Sequence, residues 1–360
     1  MGNCCPDKNT KQTNKKKKFE ERGLINETLL ESDFEESNKE PIRILLLGAG
    51  ESGKTTFFKQ MKLLQEDDFS QDEKLVYKTL IRKECVSAMN ILILNAKRLN
   101  YNIEKIEEAN LILNSKKTTP WSKEIGLALI ALWKDDAIHQ TFGCKNKKFH
   151  LGDSVGFFFN NLDDITQADY LPSNEDILRC RTTTISVDEA DFQLENYNFK
   201  LIDVGGQRNE RKKWSYCYDQ ISSVIFFVSL VGYSQVLFED NATNRMEESL
   251  ALFRDVVKSP YFIQSLIVVY LNKKDLFKNL INEVELSTCF PEYKGGSNYE
   301  NAIEYIEEKF KNIGKPIQDG NKSDILTFPT CALDTEEIRD LTTLTLGKVI
   351  NNDFYDLGLL

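Results

Sequence analysis

The sequence predicts an α/β fold, a mostly parallel sheet covered on both faces by helices and split by an all-helical insertion. Three observations carry this. Apolar runs of strand length recur at Ile42-Arg43-Ile44-Leu45-Leu46-Leu47, Phe199-Lys200-Leu201-Ile202, residues 224–230, residues 266–271 and Ile325-Leu326-Thr327-Phe328. Helical stretches such as residues 246–258 and 299–312 alternate with the later runs, and strands alternating with helices imply parallel pairing. From about residue 65 to 176 the texture changes: Leu75, Leu80, Ile91, Leu92, Leu94 and Leu99, then residues 125–133, recur at helical spacing without an alternating strand pattern.

Taken in chain order, the first run is stopped by Gly48-Ala49-Gly50-Glu51-Ser52-Gly53 and followed by helix formers through Leu64, giving strand, glycine loop and helix. The helical block follows, and strands return from Thr182 onward. The 360 residues leave room for two domains, or for one carrying a large insertion. The expected organisation is an N-terminal segment over residues 1–40, the first part of the sheet domain over 41–64, the helical insertion over 65–177 and the rest of the sheet domain over 178–360.

The net charge of −10 argues against binding nucleic acid by bulk electrostatics, and no nucleic-acid partner is expected. The longest strongly apolar stretch, residues 224–233, is interrupted by Ser229 and falls short of the roughly 20 residues that cross a bilayer. Eight cysteines without a C-x-x-C spacing, and no secretory signal, fit reduced thiols in a cytosolic setting. His139 and His150 are the two histidines; they read as surface residues of a basic polar segment and offer neither a Ser-His-Asp site nor a histidine metal cluster.

The N-terminus is electrically polarised, with six lysines against one acid over residues 1–18 and eight acids against two bases over residues 19–40. Met1-Gly2-Asn3-Cys4-Cys5 offers a glycine exposed by methionine removal and two adjacent cysteines, followed by four lysines at 15–18. These read as membrane-anchoring signals of the acyl-plus-polybasic kind, with a solvated helical face or tail as the competing reading of the lysines, and Pro6 stands where the myristoylation pattern places Ser or Thr.

Gly48-Ala49-Gly50-Glu51-Ser52-Gly53-Lys54-Thr55 matches the phosphate-loop pattern G-x-x-x-x-G-K-[ST] in full. Glycines let successive N–H groups and the following helix N-terminus face phosphate oxygens, Lys54 neutralises the outer phosphates, and the Thr55 hydroxyl suits Mg²⁺. Glu51, Ser52, Gly53, Lys54, Thr55 and Thr56 are the candidate phosphate-binding residues. Asp203-Val204-Gly205-Gly206-Gln207 follows the second apolar run. There Asp203 can hold Mg²⁺ through water, Gly206 can bring its N–H to a γ-phosphate, and Gln207 can orient an attacking water. Asn272-Lys273-Lys274-Asp275 follows residues 266–271, at the carboxyl end of a strand. Asp275 would accept from the ring N–H and amino group of guanine; adenine lacks that donor pair and would strand a desolvated carboxylate, a penalty of about 1–3 kcal/mol. Thr330-Cys331-Ala332 would set the Ala332 N–H, beside Cys331, on the guanine oxygen.

These four motifs in this order resemble a regulatory GTPase of the Ras-like superfamily. The 148 residues between Lys54 and Asp203 far exceed what a small GTPase needs, and the arrangement resembles the α subunit of heterotrimeric G proteins over nearly the whole chain. That resemblance implies a Ras-like domain with a mostly parallel six-stranded sheet plus the helical insertion, and a GTP-hydrolysing switch with Mg²⁺. It makes Arg181, within Asp176-Ile177-Leu178-Arg179-Cys180-Arg181, the built-in arginine finger, with Leu178 and Arg179 beside the nucleotide. Thr184 becomes the switch I ligand of Mg²⁺ alongside Thr55, and Glu51 a tether of Arg181 in some states. Asp153-Ser154 matches the insertion's contact with the nucleotide.

Residues 209–214 would form switch II, with Lys212, Lys213 and Trp214 exposed to a βγ dimer or an effector; for Trp214 packing into the core is the competing reading. A seven-helix receptor and attachment to the cytoplasmic face of the plasma membrane complete the implied setting. The family places Thr-Gly after the switch I threonine, whereas Ile185-Ser186 follow here, which weakens the expected fit to a GTPase-accelerating regulator. Residues 336–349 lack the aromatics that open the family's last helix, and Leu357 replaces the tail cysteine of the inhibitory class.

Overall fold

Strand β1 (Ile42–Gly48) is the centre of the fold, and its neighbours explain its composition. It pairs in parallel with β3 (Tyr197–Val204) on one side and β4 (Ser223–Ser229) on the other. In the computed structural model the sheet runs β2-β3-β1-β4-β5-β6, with β2 (Val187–Leu194), β5 (Leu266–Asn272) and β6 (Leu326–Thr330) completing it. Described are residues 41–360 except 67, 116–118, 146–147, 183, 185, 195–196, 238, 241, 319–324 and 357–360, with backbone alone for 315–318 and 351–356. The N-terminal features (Gly2, Cys4, Cys5 and the lysines 15–18), Ile185 and the tail from Leu357 to Leu360 lie outside the described residues.

All pairings are parallel except β2 with β3, which is antiparallel. A parallel sheet is covered on both faces, so its strands read as continuous apolar runs. Alternation along β1 shows both faces at work. Leu45 and Leu47 join one core with Phe226, Val228 and Val269, closed by Leu250 and Phe253 of α9 (Arg245–Lys258) and Ile306 and Phe310 of α11 (Tyr299–Gln318). Ile44 and Leu46 join the opposite core with Phe199, Phe227 and Tyr270, closed by Phe57 and Met61 of α1 (Lys54–Glu66) and Ile338, Leu346 and Val349 of α12 (Thr335–Asp356). Helix α10 (Lys274–Leu280) follows β5 directly. Pro329 lies in β6, the edge strand, where a missing N–H disturbs the ladder least.

Between α1 and β2 every regular element among the described residues is helical: α2 (Gln71–Arg98), α3 (Ile106–Asn114), α4 (Lys123–Trp133), α5 (Asp136–Gly143), α6 (Val155–Asn160), α7 (Leu162–Ile165) and α8 (Asn174–Arg179). They enclose a separate core in which Ile81, Cys85, Met89 and Leu92 of α2 meet Ile125, Leu129, Phe158 and Phe159. Helix α2 starts at a capping box: the Ser70 side chain accepts from the Glu73 N–H while the Glu73 carboxylate accepts from the Ser70 N–H. The expected limits at 64 and 177 fall inside α1 and α8.

Two differences from the sequence reading concern side chains and strands. The residues named five strand runs, and the sixth strand is β2, whose only buried side chain is Phe192, stacked on Phe199 at 5.2 Å between ring centroids. Trp214, named among the exposed switch II residues with core packing as the competing reading, takes the core: it is 3 % exposed and donates from Nε1 to the Gly205 carbonyl at 2.8 Å. An indole buries a large apolar area once its N–H finds an acceptor, and the turn after β3 supplies one.

Candidate functional site

The loops leaving β1, β3, β5 and β6 meet at the carboxyl ends of the strands, where the sheet order reverses direction about β1. Open α/β sheets bind ligands at such a reversal. The cleft there opens to solvent. Its walls include Glu51, Ser52, Gly53, Lys54, Thr55 and Thr56 from the phosphate loop; Asp153 and Ser154 from the helical block; and Leu178, Arg179, Arg181 and Thr184 from the segment joining block and sheet. Gly206 and Gln207 follow β3, Asn272, Lys273 and Asp275 follow β5, and Cys331 and Ala332 follow β6. Asp203 stands just behind, buried at the end of β3.

The phosphate loop takes its shape from positive φ angles at Gly48 (135°), Glu51 (61°) and Gly53 (107°). At Gly53 any Cβ would collide with the Asn272 amide, so glycine is required. Lys54 is buried, and its Nζ donates to the carbonyls of Gly48 at 2.9 Å and Ala49 at 3.0 Å. Burial pushes its ammonium down to about 8 against the opposing pull of Asp203.

Thr55, Thr184 and Asp203 converge. Thr55 Oγ1 donates to Asp203 Oδ2 at 2.9 Å and lies 2.8 Å from Thr184 Oγ1, which reaches the same carboxylate oxygen at 3.3 Å. Asp203 Oδ1 is buried and has no hydrogen-bond partner among the described residues. Burial raises this carboxyl to about 6, with Lys54 and the two hydroxyls opposing. Two hydroxyls and a carboxylate with an unsatisfied buried oxygen form a set of hard oxygen donors, which fits Mg²⁺.

Asn272 ties three loops together: its Nδ2 donates to the Ser52 carbonyl at 2.8 Å and its Oδ1 accepts from the Ala332 N–H at 2.9 Å. Asp275 is exposed at the start of α10 and faces the cleft beside Cys331. Lys273 pairs through Nζ with Asp153 Oδ2 at 2.6 Å, joining the β5 loop to the helical block. Burial works to raise the Asp153 carboxyl, but Lys273 overcomes it and holds the group below its ordinary value. Leu178 is buried, and Arg179 pairs with Glu175 at 2.9 Å.

Gln207 lies against Gly50. Arg181 pairs with Glu51. Glu51 also receives Arg245 Nη2 at 2.7 Å and His150 Nε2 at 3.1 Å. Burial would raise this carboxyl, yet the His150 hydrogen bond and the two guanidinium groups bring it well below the usual glutamate range. His150 is therefore not the surface histidine expected from its basic neighbours: it is half-buried and bonded into the phosphate loop. His139 is exposed, packed against the Trp133 ring at 4.3 Å.

The sequence reading missed Lys59, Glu84 and Arg245. Lys59 and Glu84 line the cleft, and Arg245 reaches the Gly50 carbonyl at 2.9 Å. Each sits inside a helical stretch with no motif around it, so only spatial proximity reveals it.

Comparison with known proteins follows the same lines. The family model described as G-protein alpha subunit matches residues 14–346. The chain is 39% identical over 314 residues to the guanine nucleotide-binding protein alpha-4 subunit of Dictyostelium discoideum, covering 86% of this chain and 89% of that protein. It is 37% identical over 346 residues to the guanine nucleotide-binding protein G(o) subunit alpha of Lymnaea stagnalis, covering 94% and 96%. The G(o) subunit alpha of Planorbella trivolvis matches at the same identity and coverage.

Proposed function

Since the chain belongs to the G-protein α-subunit family, a guanine-nucleotide-binding GTPase and signalling switch, we propose that the cleft at the carboxyl edge of the sheet is where GTP is held and cleaved. Arg181 and Gln207 are its catalytic residues in this proposal. The convergence of Lys54, Thr55, Thr184, Asp203, Gln207 and Arg181 on one cleft supports it most.

Lys54, freed from the Gly48 and Ala49 carbonyls, neutralises the outer phosphate oxygens while the loop N–H groups cradle them. Asp275 accepts from the guanine N–H groups, and the Ala332 N–H approaches the guanine oxygen. Thr55, Thr184 and Asp203 would hold Mg²⁺, which when bound neutralises charge on the outer phosphate groups. Gln207 orients a water for in-line attack on the γ-phosphorus, and the bond from that phosphorus to the β-γ bridging oxygen breaks to give GDP and phosphate. Arg181 leaves Glu51 and spreads the charge that develops in this step. The Gly206 N–H and Thr184 lose their contacts when the γ-phosphate departs, so the segments carrying them relax.

A βγ dimer, a seven-helix receptor and an effector are the partners of this switch, with Ile185 and Ser186 unfavourable to a GTPase-accelerating regulator. Residues 41–64 and 178–360 form the Ras-like part and residues 65–177 the inserted helical domain. Attachment to the cytoplasmic face of the plasma membrane runs through acylation near Gly2, Cys4 and Cys5. Among the described residues no helix is long and apolar enough to cross a membrane.

The test is single-turnover release from γ-labelled GTP or ATP with Mg²⁺. Free phosphate from GTP and not from ATP is expected; label transferred to an acceptor, or no release, contradicts the proposal.

A further inference from the structure

The peptide group that joins Cys180 to Arg181 is gripped at both ends. Its carbonyl accepts from Lys59 Nζ at 2.8 Å, and its N–H donates to Glu84 Oε2 at 3.0 Å. Lys59 also donates to the Ile177 carbonyl at 3.0 Å. Both carbonyls belong to the end of α8, where the last turn leaves acceptors without intrahelical donors and favours a cation. A peptide unit is planar with its C=O and N–H pointing in opposite directions, so fixing both ends fixes the plane and the direction in which the Arg181 Cα leaves it.

The two grips come from different parts of the molecule. Lys59 sits on α1, the helix that begins with Lys54 and Thr55, about 7.5 Å along the axis from Lys54 at 1.5 Å per residue. It is 4 % exposed, and its ring neighbour Tyr77 lies 4.7 Å away. Helix α1 is thus a rigid spacer between the phosphate-loop lysine and the backbone of Arg181. Glu84 sits on α2 of the helical block, and the Cys180 side chain packs into the core of that same block. Lys59 and Glu84 are oppositely charged and half or more buried. Burial lowers the Lys59 ammonium to about 8 and raises the Glu84 carboxyl, opposed in each case by neighbouring charges.

We propose that Lys59 and Glu84 are positioning residues for GTP hydrolysis: by clamping the 180–181 peptide they aim Arg181, and through Glu84 the helical block takes part in setting the rate of the chemical step. This rests on the role of Arg181 proposed above. A side chain that must meet a developing charge loses about ten- to a hundredfold in rate when its base shifts by about 1 Å. Neither residue need touch the nucleotide to have that effect.

The experiment is single-turnover hydrolysis of GTP by the full chain with Mg²⁺, alongside the affinity for a non-hydrolysable GTP analogue. The variants are Glu84→Ala, Glu84→Gln, Lys59→Met, Arg181→Ala and the double variant Glu84→Ala/Arg181→Ala. Glu84→Ala and Lys59→Met are expected to slow the chemical step about tenfold or more with analogue affinity within about threefold of the starting protein. Glu84→Gln, whose amide oxygen still accepts the Arg181 N–H, recovers most of what Glu84→Ala loses. In the Arg181→Ala background Glu84→Ala adds no further loss, because the side chain being aimed is gone.

A general structural role would instead give the same loss in both backgrounds, and that result overturns the clamp. So does an unchanged rate in Glu84→Ala, or a loss in Glu84→Gln as large as in Glu84→Ala. Should Lys59→Met fail to bind nucleotide, the Glu84 series decides by itself. An Arg181→Ala protein as fast as the starting one overturns the role of Arg181, and the clamp with it; a slow Arg181→Ala with a normal Glu84→Ala overturns the clamp alone.

Discussion

Glu51 of the phosphate loop holds Arg181 in an ion pair that links the loop to the segment leaving the helical block. The same carboxylate binds Arg245 and His150, so three cationic or proton-donating side chains from distant parts of the chain share one acceptor. This pair stands between the phosphate loop and the end of α8.

Glu51→Gln is expected to quicken GDP release about fivefold, corresponding to about 1 kcal/mol of lost closure. The rate at which a fluorescent GDP analogue leaves during a chase with excess GDP measures this. Unchanged release would mean that the pair does not hold the cleft shut.

The pH dependence of stability carries a second signature of Glu51. Its folded carboxyl lies well below the ordinary 4.5. A depressed acid stabilises the fold fully above its unfolded value, and that contribution is lost as pH falls through the folded value. Thermal melts of the nucleotide-free protein are therefore expected to decline below about pH 4.5. The decline should be shallower in Glu51→Gln, which has no proton to take up at that position.

Asp275→Asn replaces the acceptor for the guanine N–H groups by an amide that also donates. GTP affinity is expected to fall about ten- to a hundredfold, while xanthosine triphosphate, with an oxygen in place of the amino group, gains. Displacement of a fluorescent GTP analogue by each nucleotide reads the exchange of preference. Parallel losses for both would place the base elsewhere.

Gly206→Ala tests the close approach of the β3 loop to the phosphate loop. A Cβ at Gly206 would collide with Lys54 Nζ and the Gly48 carbonyl oxygen. The buried Trp214 is bonded to neighbouring Gly205 and reports on this loop. The difference in tryptophan emission between GTP-bound and GDP-bound protein is expected to vanish in Gly206→Ala, with GDP still bound.

The strands that proved easiest to see in the sequence are those whose two faces are both buried. Ile44, Leu45, Leu46 and Leu47 alternate between two cores, so every position is apolar and the run stands out. Strand β2 is at the edge and carries Glu189, Asp191 and Gln193 on its exposed positions and the half-buried Asp188 beside them, and only Phe192 is buried, so no apolar run marks it. The loop motifs were legible because phosphate and guanine chemistry restrict residue type and spacing together. Glu84, Lys59, His150 and Arg245 were not, because each acts through a neighbour far away in the chain. Trp214 was ambiguous for a different reason: an aromatic side chain serves a core and a docking surface equally well, and only the Gly205 carbonyl within reach of its N–H decided between them.

Single-turnover hydrolysis at saturating GTP and Mg²⁺, comparing Arg181→Cys and Gln207→Leu with the unaltered chain, tests the placement of the chemistry most directly. Both variants are expected to keep GTP and to lose about a hundredfold or more in the rate of phosphate release. Release at the unaltered rate from either one would contradict the assignment of the cleft's chemistry to that pair.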